Sequence, residues 1–174
     1  AKRRLAVVIP AVLALIVVVA VIAIGPLTAA FAAGNRALVK MSEFTPSTAT
    51  VLAELARRYF TADELAIVEG DMAVAEAFTR LPFDHLLFTG STAVGRHVMR
   101  AAADNLTPLT LELGGKSPAI IAPDYPLEKA AARILTGKCL NAGQTCIAPD
   151  YVFVQAGKEE AFCEAARRIV AKSY

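Results

Sequence analysis

The chain has 174 residues, 56% of them apolar, and a formal net charge of +2. Its richness in Leu, Ile, Val and Ala excludes a disordered chain. Three cysteines are too few for a disulfide scaffold, and odd in number; near-balanced charge gives no basis for nucleic-acid binding. Lys2, Arg3 and Arg4 precede an apolar run at 5–24, broken only by Pro10. The run is long enough to cross a bilayer as one helix, with the basic flank on the cytoplasmic side. Two other readings compete. A signal peptide would use the small residues at 28–34 for cleavage. A buried strand fits the many β-branched residues, because parallel strands read as continuous Val/Ile runs. From residue 37 the chain alternates short strands and helices. Strands are expected at 37–40, 65–68, 85–89, 109–113, 119–122 and 151–155. Helices are expected at 47–60, where Leu52, Leu55, Ala56 and Tyr59 share a face, and at 72–79, 92–103, 127–140 and 158–171. This alternation predicts an α/β fold with a mainly parallel sheet and helices on both faces.

Three segments carry chemistry. At 88–95 (FTGSTAVG) a strand runs into Gly90, and Ser91 sits where a helix N-cap belongs. Free N–H groups at such a helix start can hold an anion; an ordinary capped strand–turn–helix has the same pattern. At 111–118 (LELGGKSP) Glu112 lies in an apolar strand. Half-buried, it would have a raised pKa suited to a general base; paired, it would be a strand-end salt bridge. Gly114 and Gly115 would let backbone come close to a ligand. At 141–149 (NAGQTCIAP) Cys146 lies in a loop of small and polar residues, as a nucleophilic thiolate requires. Cys139 and Cys163 read as buried apolar residues. No C-x-x-C occurs, and His85 and His97 lie far from the cysteines in sequence, so no metal site is expected. His85 reads as a strand-edge residue and His97 as a solvated helix residue.

Four segments in order, LVKMSE at 38–43, FTGSTAVG at 88–95, LELGGKSP at 111–118 and GQTC at 143–146, resemble the aldehyde dehydrogenase superfamily. Residues 24–154 look most like its coniferyl aldehyde dehydrogenase branch. The 34 residues between Glu112 and Cys146 match the family's spacing of base and nucleophile. The resemblance implies a Rossmann-like parallel-sheet core and NAD(P)-dependent oxidation of a small-molecule aldehyde to an acid. It implies Cys146 as nucleophile and Glu112 as activator of the hydrolytic water. It also implies Gly90 and Ser91 at the cofactor diphosphate, and Lys40 and Glu43 at the adenosine ribose. Glu43 would repel a 2′-phosphate and so favours NAD, with NADP as the alternative. Lys116 reads as structural. A cytoplasmic protein and, for the full-length family, a homo-oligomer follow from the same resemblance.

Two departures shape the expectation. Counting back from Gly25 puts the family's oxyanion-hole Asn at Val17, and no Asn precedes Asn35. The chain also stops 28 residues after Cys146, before the family's remaining catalytic segments. The resemblance therefore implies an unmatched apolar leader at 1–23, part of a cofactor domain at 24–110 and the start of a catalytic domain at 111–174. Impaired turnover is expected of such a chain, and a membrane-anchored or cofactor-binding pseudo-enzyme is the alternative. Within the long apolar stretch, 24–35 aligns with a soluble family helix, begun at Pro26 and ended by Gly34. Its small residues are expected to pack against the sheet.

Overall fold

A computed structural model describes residues 20–173. They fall into two units that divide between Glu112 and Leu113. The first begins with a π-helical turn, Ala20–Ile24, and helix α1, Gly25–Ala32, which carries Pro26 in its first turn. A Pro there loses no helical hydrogen bond. The helix ends in a double lock: the N–H of Asn35 donates to the Ala30 carbonyl and that of Gly34 to Phe31, both at 2.9 Å. Gly34 sits at φ 74°, the left-handed conformation this ending requires. Contrary to expectation, no residue of α1 is buried; Phe31 instead stacks on Phe60, ring centroids 5.3 Å apart.

Strand β1 (Ala37–Lys40), helix α2 (Pro46–Tyr59) and strand β2 (Leu65–Val68) follow. β1 and β2 pair in parallel, Ala37 opposite Leu65 and Lys40 opposite Val68. Helix α2 buries Ala49, Ala53 and Ala56. Of the expected face Ala56 is buried, but Leu55 is 44% and Tyr59 66% exposed. Small side chains let the helix lie close to β2, its neighbour, while the larger ones stay at the rim.

Helix α3 (Met72–Thr79) starts at Asp71, whose carboxylate accepts the N–H groups of Ala73 and Val74 at 3.0 and 3.2 Å. These bonds satisfy two otherwise orphaned donors. Asp71→Ala is expected to cost about 1 kcal/mol of stability, read as an earlier urea midpoint; an unchanged midpoint would discount the cap.

Strand β3 (Leu86–Thr89), helix α4 (Thr92–Ala103) and strand β4 (Leu109–Glu112) complete the first unit, with β3 and β4 parallel and Thr89 opposite Glu112. α4 buries Gly95, Val98 and Ala102.

The second unit holds strand β5 (Ser117–Ile120), helix α5 (Leu127–Cys139), a tight turn at Leu140–Gly143, strand β6 (Pro149–Phe153) and helix α6 (Glu159–Ser173). β5 and β6 pair in parallel. Both begin two residues earlier than expected, each with a proline in its first two positions. A proline cannot donate to a ladder, and an irregular strand start tolerates it. The register shows the irregularity: Ser117 faces Pro149, but Pro118 faces Tyr151. Asp150 is skipped, the extra residue of a bulge. α5 and α6 lie together, joined by Arg168 and Glu128 at 2.8 Å.

The α/β fold stands, all of its strand pairs parallel, but the described residues form three two-stranded sheets instead of one. Eight of the eleven buried apolar residues are alanines, and no large side chain among the described residues is fully enclosed. The membrane-helix reading of 5–24 and the position of Val17 fall mainly or wholly outside the described residues. Among the described residues no helix is long and apolar enough to cross a membrane.

Candidate active site

The C-terminal ends of β1 and β2 open onto a hollow of about 210 Å³ in the first unit. Ends of parallel strands are where open α/β sheets receive ligands. Ser42 and Glu43 line it from the β1 side, and Glu69, Gly70 and Asp71 from the β2 side. Lys40 reaches Glu43 at 3.3 Å, its own side chain only 8% exposed. The N–H of Glu43, then the Lys40 ammonium, hold the Glu43 carboxyl below its ordinary range. Glu43 therefore presents a fixed carboxylate to the hollow, with the covered Lys40 ammonium paired to it. Glu69 accepts the Thr50 hydroxyl at 2.7 Å. Glu69 and Asp71 were missed in the sequence, although Asp71 directly before an apolar helix is a recognisable cap signal.

The turn after β3 is built as its residues suggested. Ser91 is extended (φ −74°, ψ 151°), and its hydroxyl accepts the N–H of Val94 at 3.3 Å. The Gly90 N–H donates to the Glu112 carbonyl at 3.0 Å, tying the turn to the end of β4. A Cβ on Gly90 would meet the Phe88 ring, its nearest atom 2.5 Å away. Only glycine fits against that ring without displacing it. Glu112 is exposed, so the half-buried alternative does not hold, and among the described residues it makes no ion pair either. His85 bonds the Thr110 hydroxyl at 2.9 Å, and His97 is exposed on α4.

In the second unit Cys146 is exposed, in the loop between the 140–143 turn and β6. Cys163 is exposed too, and Cys139 only partly covered, so neither is the buried residue expected. The Cys146 loop is closely held. Asn141, Ala142 and Gly143 all lie at positive φ, 50°, 55° and 76°. That conformation is costly for side-chain-bearing residues, so the surroundings must impose it. A Cβ on Gly143 would come within 3.0 Å of the Lys138 carbonyl. The Asn141 amide donates to the Gln144 carbonyl at 3.3 Å, and the Ala148 N–H to Thr145 at 3.1 Å.

The Cys146 carbonyl meets the 115–117 turn. The Ser117 hydroxyl donates to it at 3.4 Å, and a Cβ on Gly115 would collide with it. Gly115 therefore allows a close backbone approach, as expected, but toward Cys146 and not toward a ligand. Lys116 pairs with Asp150 at 3.1 Å. Ser117 and Asp150 had no sequence signal: both contacts join segments about thirty residues apart. Glu112 and Cys146 belong to different units.

The aldehyde dehydrogenase family matches residues 18–173, from inside the apolar run to past Val154. The probable coniferyl aldehyde dehydrogenase of Pseudomonas aeruginosa is 58% identical over 149 residues, 86% of this chain and 31% of that protein. The substrate-bound state of Staphylococcus aureus AldH is 42% identical, with TM-score 0.78 over 86% of this chain and 32% of its own. A mutant of aldehyde dehydrogenase C from Pseudomonas syringae, in complex with NAD+ and octanal, is 30% identical, with TM-score 0.76 over 83% of this chain and 30% of its own. The chain thus spans about a third of the length of the proteins it matches.

Proposed function

The chain belongs to the aldehyde dehydrogenase family, and from that premise we propose that it carries the nucleophile, the hydrolytic base and part of the cofactor cradle of an NAD(P)-dependent oxidation of an aldehyde to a carboxylic acid. The observation that carries the reading is the exposed Cys146 in a loop whose backbone is gripped at Cys146 itself. The complex of the Pseudomonas syringae relative supports both the cofactor and the aldehyde.

The residues fit a nicotinamide dinucleotide. Lys40 and Glu43 offer a donor and an acceptor to the two hydroxyls of a ribose. The helix start that follows Gly90 and Ser91 would offer N–H groups to a diphosphate. The carboxylate of Glu43, with Glu69 and Asp71 around the same hollow, disfavours a 2′-phosphate and so supports NAD over NADP.

In the proposed chemistry the Cys146 thiolate adds to the aldehyde carbon, forming a C–S bond and an oxyanion. The N–H of Cys146 stabilises that oxygen. A nicotinamide held by Lys40, Glu43, Gly90 and Ser91 would accept the hydride from that carbon, which would leave a thioester on Cys146. Glu112 then takes a proton from water, the water oxygen attacks the acyl carbon, and the C–S bond breaks to return the Cys146 thiolate. We assign 24–110 to the cofactor domain and 111–174 to the catalytic domain; the division between Glu112 and Leu113 supports that boundary. The cytoplasmic placement and the homo-oligomer rest on the resemblance alone.

Val17 in place of an oxyanion-hole Asn predicts little turnover, because losing one such donor typically costs about 10²–10³ in rate. The test is therefore a covalent one. The Glu112→Gln variant, incubated with NAD and benzaldehyde, is expected to accumulate a benzoyl group on the Cys146 peptide, read by mass spectrometry. Acylation at Cys163 instead, or at no cysteine, would overturn the assignment.

A further inference from the structure

We propose that Asp150 is a positioning residue, which holds the Cys146 loop by bridging two lysines from opposite sides of it. This rests on Cys146 being the nucleophile for its catalytic meaning, but the tether itself does not. Asp150 Oδ1 lies 3.1 Å from Lys116 Nζ and 3.8 Å from Lys138 Nζ. Lys116 follows Gly115, where a Cβ would collide with the Cys146 carbonyl, and precedes Ser117, which donates to that same oxygen. Lys138 closes α5, just before the left-handed turn, and its stem packs within 3.4 Å of where a Gly143 Cβ would stand. The two lysines thus flank the loop at its two anchoring points.

The bulge explains how one carboxylate reaches both. In a regular ladder Asp150 would face a residue of β5, with its side chain fixed by the strand alternation. The register skips it, Ser117 facing Pro149 and Pro118 facing Tyr151. A bulge frees its extra residue from the pairing and re-aims it. One negative charge between two positive ones is also better satisfied than a lone exposed pair. At 30% exposure Asp150 is more covered than either lysine, 79% for Lys116 and 43% for Lys138. The consequence falls on the Cys146–Ile147 peptide, whose carbonyl is the group held by the 115–117 turn.

Site-resolved hydrogen exchange of the 174-residue chain tests the tether. In Asp150→Asn the amides of Gln144 and Ala148, which close the loop, are expected to exchange about tenfold faster. The Ile121 amide, bonded to Phe153 in the same unit, is expected not to change. Asp150→Glu, which keeps the charge, is expected to restore most of the protection. Unchanged exchange at Gln144 and Ala148, or equal acceleration at Ile121, would overturn the proposal. Should Asp150→Asn fail to fold, the wild-type chain serves. Raising NaCl from about 0.05 to about 1 M is expected to accelerate the same two amides selectively, and a flat response would overturn the tether. Exchange is blind to catalysis, so a failed acylation of Cys146 leaves this result standing, and the reverse also holds.

Discussion

Gly115→Ala is expected to destabilise the second unit by about 3 kcal/mol, the upper end of what overpacking costs. The reason is the nature of the obstacle. A Cβ at 115 would run into the carbonyl oxygen of Cys146, with its carbonyl carbon 3.3 Å and its Cα 3.8 Å away. All three are backbone atoms, so no rotamer change relieves the clash; the Cys146 peptide must move. That movement would break the Ser117 bond to the same oxygen and strain a turn already holding Asn141 and Ala142 at positive φ. Urea unfolding followed by a reporter in the second unit should show a lower midpoint. By contrast Gly114, with nothing within 4 Å of its Cβ position, should accept alanine at a cost of under about 1 kcal/mol. Equal stability of the two variants would refute the close approach.

Cys146→Ala is expected to remove aldehyde-dependent reduction of NAD altogether. Loss of a covalent nucleophile costs on the order of 10³-fold or more, because the two-step route disappears with it. The alanine leaves the backbone N–H and the contacts to Gly115 and Ser117 intact, so the variant should fold like the parent. The comparison is then clean: matched thermal unfolding, with the parent's low NADH formation from benzaldehyde falling to the background rate. Retained NADH formation would refute the nucleophile assignment. Cys163→Ala is the control, since that thiol is also exposed but lies on α6 and not in the loop; it should change nothing.

The expected elements and the structure diverge for physical reasons that specific residues display. Helix α2 was readable from spacing, but the face it buries was not. Periodicity marks an apolar stripe, and which part of that stripe touches the sheet depends on how closely the helix approaches. Alanines at 49, 53 and 56 allow the closest approach, so Leu55 and Tyr59 end at the rim. Strands β5 and β6 were each placed two residues late because Pro118 and Pro149 argue against a strand when read locally. A bulge tolerates both, and a bulge belongs to a pair of strands, not to either sequence. Cys139 and Cys163 were expected to be covered on the strength of their neighbours in sequence, whereas cover comes from other segments.

The sequence by itself determined the order of strands and helices, the capped turn at Gly90 and Ser91 and the loop bearing Cys146. All of these are local: they depend on residues within one or two turns of each other, where side-chain period, capping and backbone freedom act directly. Only the tertiary structure decided how the Cys146 loop is held. Gly115 against the Cys146 carbonyl, Ser117 bonded to it, and Asp150 between Lys116 and Lys138 each join segments distant along the chain. Such contacts form only once β5 and β6 pair and their register slips by one residue, and a through-space register of that kind has no signature along a single chain.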